Sequence, residues 1–426
     1  MLPMIVCGLA VILLWTFASR LLLRGHVSGP VVMVAGGIAA GFVFGDEIGN
    51  HLDTDLAERI VQLILALLLF VDAIEVRGGF LAGERRTAAR LLFLALPLSL
   101  VAAFVLGLPL LGVSSWAAVL AAACVVMPAD FAPAAELLRD ERLPRGLRHV
   151  LAVESGYNDG FFSPVFAFAL LLLEASAETA DPLSALEHAV PAAAYAVLVG
   201  VGIGAVTGFA LRLSVAAGWT GLAAIRVALV VVPLLTYAVA VHVGGNGFVA
   251  AFLAGLAYKL GRRGRRGLHV ESGDDPHEAA ARAEPEAVDV VTALASMLMW
   301  FVFGGVAVLV LDVGFEGRWI LYGLLALTVA RLVPVYLAML RGRTTWGERT
   351  LLGVLGPRGT SSIVFGLLAF NAMRDSDAVA VLYVMTVVII GSMLLHGLLA
   401  PLCVRRFSAP GRRPRPSRPD RRSPDG

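Results

Sequence analysis

The chain has 426 residues, of which 58% are hydrophobic and only 15% charged, and its mean hydropathy is +0.82. Soluble globular chains carry about 45–50% apolar and about 25% charged residues. The composition therefore excludes a soluble protein, a disordered one, and a nucleic-acid binder whose affinity rests on charge. The net charge of +2 says little, because opposite charges sit in different parts of the chain. Cys7, Cys124 and Cys403 are scattered and odd in number, which fits neither a disulfide framework nor a metal cluster.

A helix that spans a bilayer needs about 20 mostly apolar residues. Thirteen stretches meet or approach that: 4–23, 28–45, 56–74, 89–112, 114–138, 147–173, 190–213, 219–241, 245–260, 287–311, 319–340, 346–372 and 376–403. The first lacks a basic flank and a small-residue cleavage site, so it reads as a helix and not as a removed signal peptide. Residues 1–407 form one transmembrane unit, with a polar cytoplasmic loop at 261–286. Residues 408–426, rich in Pro, Arg and Ser, read as a disordered basic tail.

Loop charge orients this plan. With thirteen helices, alternate loops hold 28 of the 34 basic residues, including Arg77, Arg139, Lys259, Arg341 and the tail arginines. The opposite loops are acidic, with Asp46, Glu47, Asp53 and Asp55 in one and Glu174, Glu178 and Asp181 in another. Cytoplasmic loops carry the Lys/Arg excess, which puts the N-terminus outside and the C-terminus in the cytoplasm. Gly37 and Gly41 in the second stretch, and Gly200, Gly204 and Gly208 in the seventh, form small-residue stripes that let helices approach closely. They predict internal packing.

Charge inside the spans carries the functional signal. A charged group near the bilayer centre costs at least about 2.5–3.5 kcal/mol on insertion scales, and marks a function by default. Arg226 and Arg331 are placed near cytoplasmic ends, where they can snorkel, and Asp72 lies near the end of its helix. Asp130, Glu154, Asp159 and Arg358 are deeper. In the sixth stretch, Ser155 and Asp159 share one helix face and Glu154 and Asn158 the adjacent face. So many polar groups in one turn and a half must line a cavity or meet other helices.

The fifth and twelfth stretches should be broken. Pro128 and Pro133 flank Asp130, and each removes an N–H and clashes with a preceding carbonyl. Gly356-Pro357-Arg358-Gly359 loosens the twelfth. Freed backbone groups at membrane depth survive only inside protein or beside a wet cavity, and broken helices near the midplane are where transporters hold ions. Arg358 needs a carboxylate, for which Glu154 is the natural candidate; an unpaired member would be costly. That leaves Asp159 as the free carboxylate.

Desolvation disfavours a bare anion, so such a group holds either a proton or a small cation. If the site opens alternately to each side, that competition couples two opposite fluxes. Asp130, the Ala129 carbonyl and the Ser155 hydroxyl could add hard oxygen ligands. Asn158 is neutral, which favours electroneutral exchange. An offset of seven helices pairs the two broken stretches in opposite orientations, as an inverted repeat would. No GxxxxGK[ST] loop, HExxH motif or TVGYG filter is present.

These stretches together resemble the monovalent cation:proton antiporters of the sodium/proton exchanger type (NhaP-like). Glu154–Gly160 is similar to that family's ion-binding helix, with the Asn-Asp pair at Asn158 and Asp159. Gly356–Gly359 followed by Ser361–Phe365 is similar to its arginine-bearing helix. Gly245–Ala250 and the His396-Gly397 pair fit as well. The resemblance implies an all-α polytopic fold of thirteen helices, inverted repeats, a homodimer, and elevator-like alternating access in a cell membrane. It implies sodium or lithium exchange for protons with no cofactor, and no enzymatic activity. Asp159 would bind the cation, Asp130 and Ser155 would assist, and Glu154 would pair with Arg358. Where the family usually has Thr-Asp-Pro, this chain has Ala129-Asp130-Phe131, which leaves only the Ala129 carbonyl as a ligand at that position. Rival readings are potassium exchange by the same mechanism, a cation or proton channel through the same cavity, and an enzyme using Asp130 and Asp159 as an acid–base pair.

Overall fold

The structure is a computed structural model that describes residues 2–25, 27–52, 54–75, 85–131, 138, 140, 142–176, 182–262, 276–342 and 344–407. The tail 408–426, Pro133, Asp53, Glu178, Asp181, Arg77 and Arg139 lie outside the described residues, as does the 263–275 part of the 261–286 loop. Among the described residues, all regular structure is helical.

In chain order the helices are α1 (Leu2–Arg24), α2 (Gly29–Leu52), α3 (Asp55–Glu75), α4 (Arg85–Leu110), α5 (Trp116–Val126), α6 (Arg145–Ser176) and α7 (Pro182–Ala216). They continue with α8 (Leu222–His242), α9 (Gly247–Arg262), α10 (Pro276–Leu311), α11 (Gly317–Met339), α12 (Trp346–Val354), α13 (Thr360–Ala372), α14 (Asp375–Leu394) and α15 (Ala400–Phe407). Each of the thirteen apolar stretches contains described helix, although the fifth is helical only over its first part among the described residues and the twelfth is split. Eight of the described helices are long and apolar enough to cross a membrane by themselves, and α5, α13 and Gly29–Gly45 are shorter apolar helices. Helix α10 starts at Pro276, so the predicted loop 261–286 gives its last residues to this helix.

Local chemistry explains several ends. Ser115 caps α5 by accepting from the Ala118 N–H at 3.1 Å. Thr345 and Glu348 form a capping box at the start of α12. The α5 helix stops at Val126, just before Pro128. The twelfth stretch splits into α12 and α13 across Leu355–Gly359, at its Gly-Pro pair.

The helices pack in two groups. One holds α4, α5, α6 and α11–α14; the other holds α1–α3 and α7–α10. An inverted repeat is visible in the pairings. Helix α2 packs on α10 and its counterpart α9 on α3, and α1 packs on α2 as α8 does on α9. The glycine stripes lie inside these contacts, as expected. A Cβ at Gly37 would stand 2.0 Å from the Phe301 carbonyl oxygen of α10, and one at Gly204 would stand 2.3 Å from the Ala254 carbonyl oxygen of α9.

These distances make the stripe testable. Gly204→Ala must push α7 off α9, and overpacking of this kind costs about 1–3 kcal/mol. Gly202 faces open space. We expect Gly204→Ala to lower the melting temperature of detergent-solubilised protein by several degrees and Gly202→Ala to leave it unchanged; equal melting curves would count against close α7–α9 packing.

Candidate cation site

The two breaks meet. The Asp130 N–H donates to the Pro357 carbonyl at 2.8 Å, so each broken segment satisfies a group freed in the other. The Asp130 carboxylate reaches the start of α13, where Oδ2 accepts the Thr360 N–H at 2.9 Å. That caps an orphan N–H and places negative charge at the positive end of the helix. Gly359 makes this approach possible: a Cβ there would lie 2.1 Å from Asp130 Oδ2.

Helix α6 runs beside this crossing. Its Asn158 Nδ2 donates to the Ala129 carbonyl at 2.9 Å, and its Ser155 Oγ accepts the Phe131 N–H at 3.4 Å. One turn on, Asp159 is 3% exposed and takes the Ser361 hydroxyl on Oδ2 at 2.5 Å. The Asp72 carboxyl of α3 and the Asp130 carboxyl both lie within the electrostatic reach of Asp159. Asp159 Oδ1 and Asn158 Oδ1 are buried and accept no hydrogen bond from the described residues. All five residues expected at a cation site (Ala129, Asp130, Ser155, Asn158 and Asp159) are therefore together. Asp72, which the sequence left open, joins them from the other helix group.

The expected Glu154–Arg358 pair is not formed. Glu154 pairs with Arg331 of α11: Arg331 Nη2 donates to Oε2 at 2.8 Å and Nη1 lies against Oε1. Arg331 also donates to the Leu352 carbonyl at 3.2 Å, tying α6, α11 and the last turn of α12 together. Arg358 Nη1 instead donates to the carbonyls of Met127 and Pro128, at 2.6 and 3.2 Å. The physical reason is proximity to the crossing. The carbonyl end of broken α5 lacks helical donors and carries partial negative charge, and Arg358 sits on the segment that crosses it. Arg331 was placed at a helix end, able to snorkel, but it is 1% exposed. It lies eight residues from the end of α11, about 12 Å at 1.5 Å per residue. That distance, legible in the sequence, was the signal for a buried partner.

The family model for "Sodium/hydrogen exchanger, transmembrane" matches residues 8–405. The chain belongs to that family. No curated protein matches it in sequence. Its fold is similar to that of the sodium proton antiporter MjNhaP1 from Methanocaldococcus jannaschii in two solved structures. The structure at pH 8 gives a TM-score of 0.68 at 15% identity, covering 95% of this chain and 98% of that one. The electron-microscopy structure gives 0.68 at 14%, covering 96% and 98%. The fold is thus the inverted-repeat antiporter fold with crossed broken helices.

The pairing yields a direct test. Arg331→Met leaves a buried, unpaired carboxylate at Glu154, and breaking a buried pair costs about 3–5 kcal/mol. The double variant Arg331→Met/Glu154→Gln removes the stranded charge and should recover most of the lost thermal stability. No recovery in the double variant would reject the pair. Gly359→Ala should displace the Asp130 carboxylate and abolish cation-dependent stabilisation of the folded protein; retained stabilisation would show that Asp130 need not sit against Gly359.

Proposed function

We propose that this protein exchanges a monovalent cation, sodium or lithium, for protons, electroneutrally and by alternating access, with Asp159 as the carboxylate that holds one or the other. The observation that carries this is the Asp159 carboxylate itself. One oxygen is held by the Ser361 hydroxyl, while the other is buried without a donor among the described residues. A buried carboxylate oxygen in that condition calls for a proton or a cation. Neither buried arginine answers it, since Arg331 is engaged by Glu154 and Arg358 by carbonyls of the α5 break.

Oxygen groups suited to a small cation are near at hand: the Asp72 and Asp130 carboxyls within electrostatic reach of Asp159, and the Ser155 hydroxyl and Ala129 carbonyl where α6 meets the α5 break. The Asn158 amide fixes that carbonyl from one side. Cation entry displaces the proton, and proton entry displaces the cation, so the two fluxes oppose. Because Asn158 is neutral, one titrating carboxylate of the Asn-Asp pair gives one proton per monovalent ion. On this reading the protein works as a homodimer in the cell membrane with its C-terminus in the cytoplasm, and needs no cofactor.

Purified protein in sealed liposomes with an acid interior tests the proposal. External Na⁺ or Li⁺ should dissipate the proton gradient without generating a membrane potential. Asp159→Asn should abolish that response while its melting curve stays near wild type. Response to K⁺ alone would reassign the ion, ohmic current would replace exchange by conduction, and a fully active Asp159→Asn would remove Asp159 from the mechanism.

A further inference from the structure

The second break is held from a side that the cation site does not touch. Helix α14 presents Ser392, and the π-helical turn that continues it presents His396, one turn apart and both buried, against the Gly356–Arg358 crossover. Ser392 Oγ accepts the Arg358 N–H at 2.8 Å. His396 Nε2 lies 3.2 Å from the Gly356 nitrogen and 3.0 Å from the Val354 carbonyl, and Nδ1 lies 2.8 Å from the Ser392 carbonyl and 3.1 Å from its hydroxyl. Either neutral tautomer ties α14 to the break. With the proton on Nδ1, the ring donates to the Ser392 carbonyl and accepts the Gly356 N–H. With the proton on Nε2, it donates to the Val354 carbonyl and accepts the Ser392 hydroxyl. A π-helical turn at Leu395–Leu399 interrupts the helix at His396, a distortion that recurs at functional sites.

The same frame occurs in the first repeat. There the N–H that follows Asp130 goes to Ser155, and Asp159 stands four residues beyond that serine. In the second repeat the N–H that follows Pro357 goes to Ser392, and His396 stands four residues beyond. The position that carries an exchangeable carboxylate in one repeat carries a ring bonded to the backbone in the other.

We propose that His396 and Ser392 are positioning residues of the cation site: they clamp the Gly356–Arg358 crossover, and the crossover fixes Asp130. The chain of contacts is continuous. His396 and Ser392 hold the segment through the break, Pro357 accepts the Asp130 N–H, and Thr360 donates to the Asp130 carboxylate. Loss of the clamp loosens Asp130, which neither residue touches. This inference rests on the exchange reading for its transport consequence but not for its structural one.

Two readouts on the full-length purified protein test it. Amide hydrogen exchange reports on residues 127–131 and 354–360, and liposome assays give the apparent KM and maximal rate for Na⁺ or Li⁺. His396→Ala should speed amide exchange in both segments and raise the apparent KM about three- to tenfold, the equivalent of one buried hydrogen bond. His396→Gln, which keeps a donor and an acceptor, should restore both. If His396→Ala does not fold, Ser392→Ala carries the same two expectations. Unchanged protection at 127–131 in a folded variant overturns the clamp. So does a lower maximal rate at unchanged KM with Gln no better than Ala, since that is the signature of simple packing. If no cation drives exchange in wild type, the exchange reading fails, and the amide data still decide the clamp.

Discussion

The structure depends on a mutual satisfaction of two broken helices. A helix interrupted inside a membrane exposes N–H and C=O groups that lipid cannot bind. Here the interruption at Met127–Asp130 and the one at Leu355–Gly359 meet, and each supplies what the other lacks. The Pro357 carbonyl takes the Asp130 N–H, the Asp130 carboxylate takes the Thr360 N–H, and the Arg358 guanidinium takes the carbonyls at the end of α5. Neither break is stable alone. Their crossing therefore fixes the relative placement of α5, α12 and α13, and with them the face against which α6 sets Asn158 and Asp159.

The buried charges follow from that constraint. Two guanidiniums and several carboxylates share a small volume, and their pairing decides which carboxylate stays available. Arg358 neutralises a helix end, a partial charge that no side chain carries. Arg331 forms a hydrogen-bonded pair with Glu154 that locks three helices together. Glu154 is thereby an architectural residue despite lying only five positions from Asp159. On the proposed reading, a carboxylate without a guanidinium, close to two other carboxyls and to a hydroxyl, serves as the exchange site and not as a structural element.

Much of this was legible in the sequence, because hydropathy and helix breakers act locally. The apolar stretches, the break after Met127, the loosened Gly356–Gly359 segment and the polar turn of α6 each follow from residues within a few positions of one another. The assembly of Ala129, Asp130, Ser155, Asn158 and Asp159 was also legible, since two broken helices and one polar helix can satisfy their groups only by meeting. The partner of Glu154 was not. Two buried arginines compete for it, and the outcome rests on which one lies over the carbonyl end of α5. That is a tertiary fact with no period or spacing to reveal it. The start of α10 inside the predicted polar loop was missed for a different reason: charge marks the membrane boundary, and a helix can continue past it into water.

The inverted repeat adds a last step. Both halves use a serine to receive the N–H that follows the crossover, and both place a polar side chain one turn beyond it. Two exchangeable groups in these equivalent places would give the crossing two sources of charge change and no rigid half against which to move. The chain instead places Asp159 in the first half, with one oxygen lacking a donor among the described residues, and His396 in the second, with both ring nitrogens within hydrogen-bond distance of the backbone. On the proposed reading, duplication supplied the crossing and divergence divided the labour. One repeat answers to the ion, and the other holds the frame in which the ion is read.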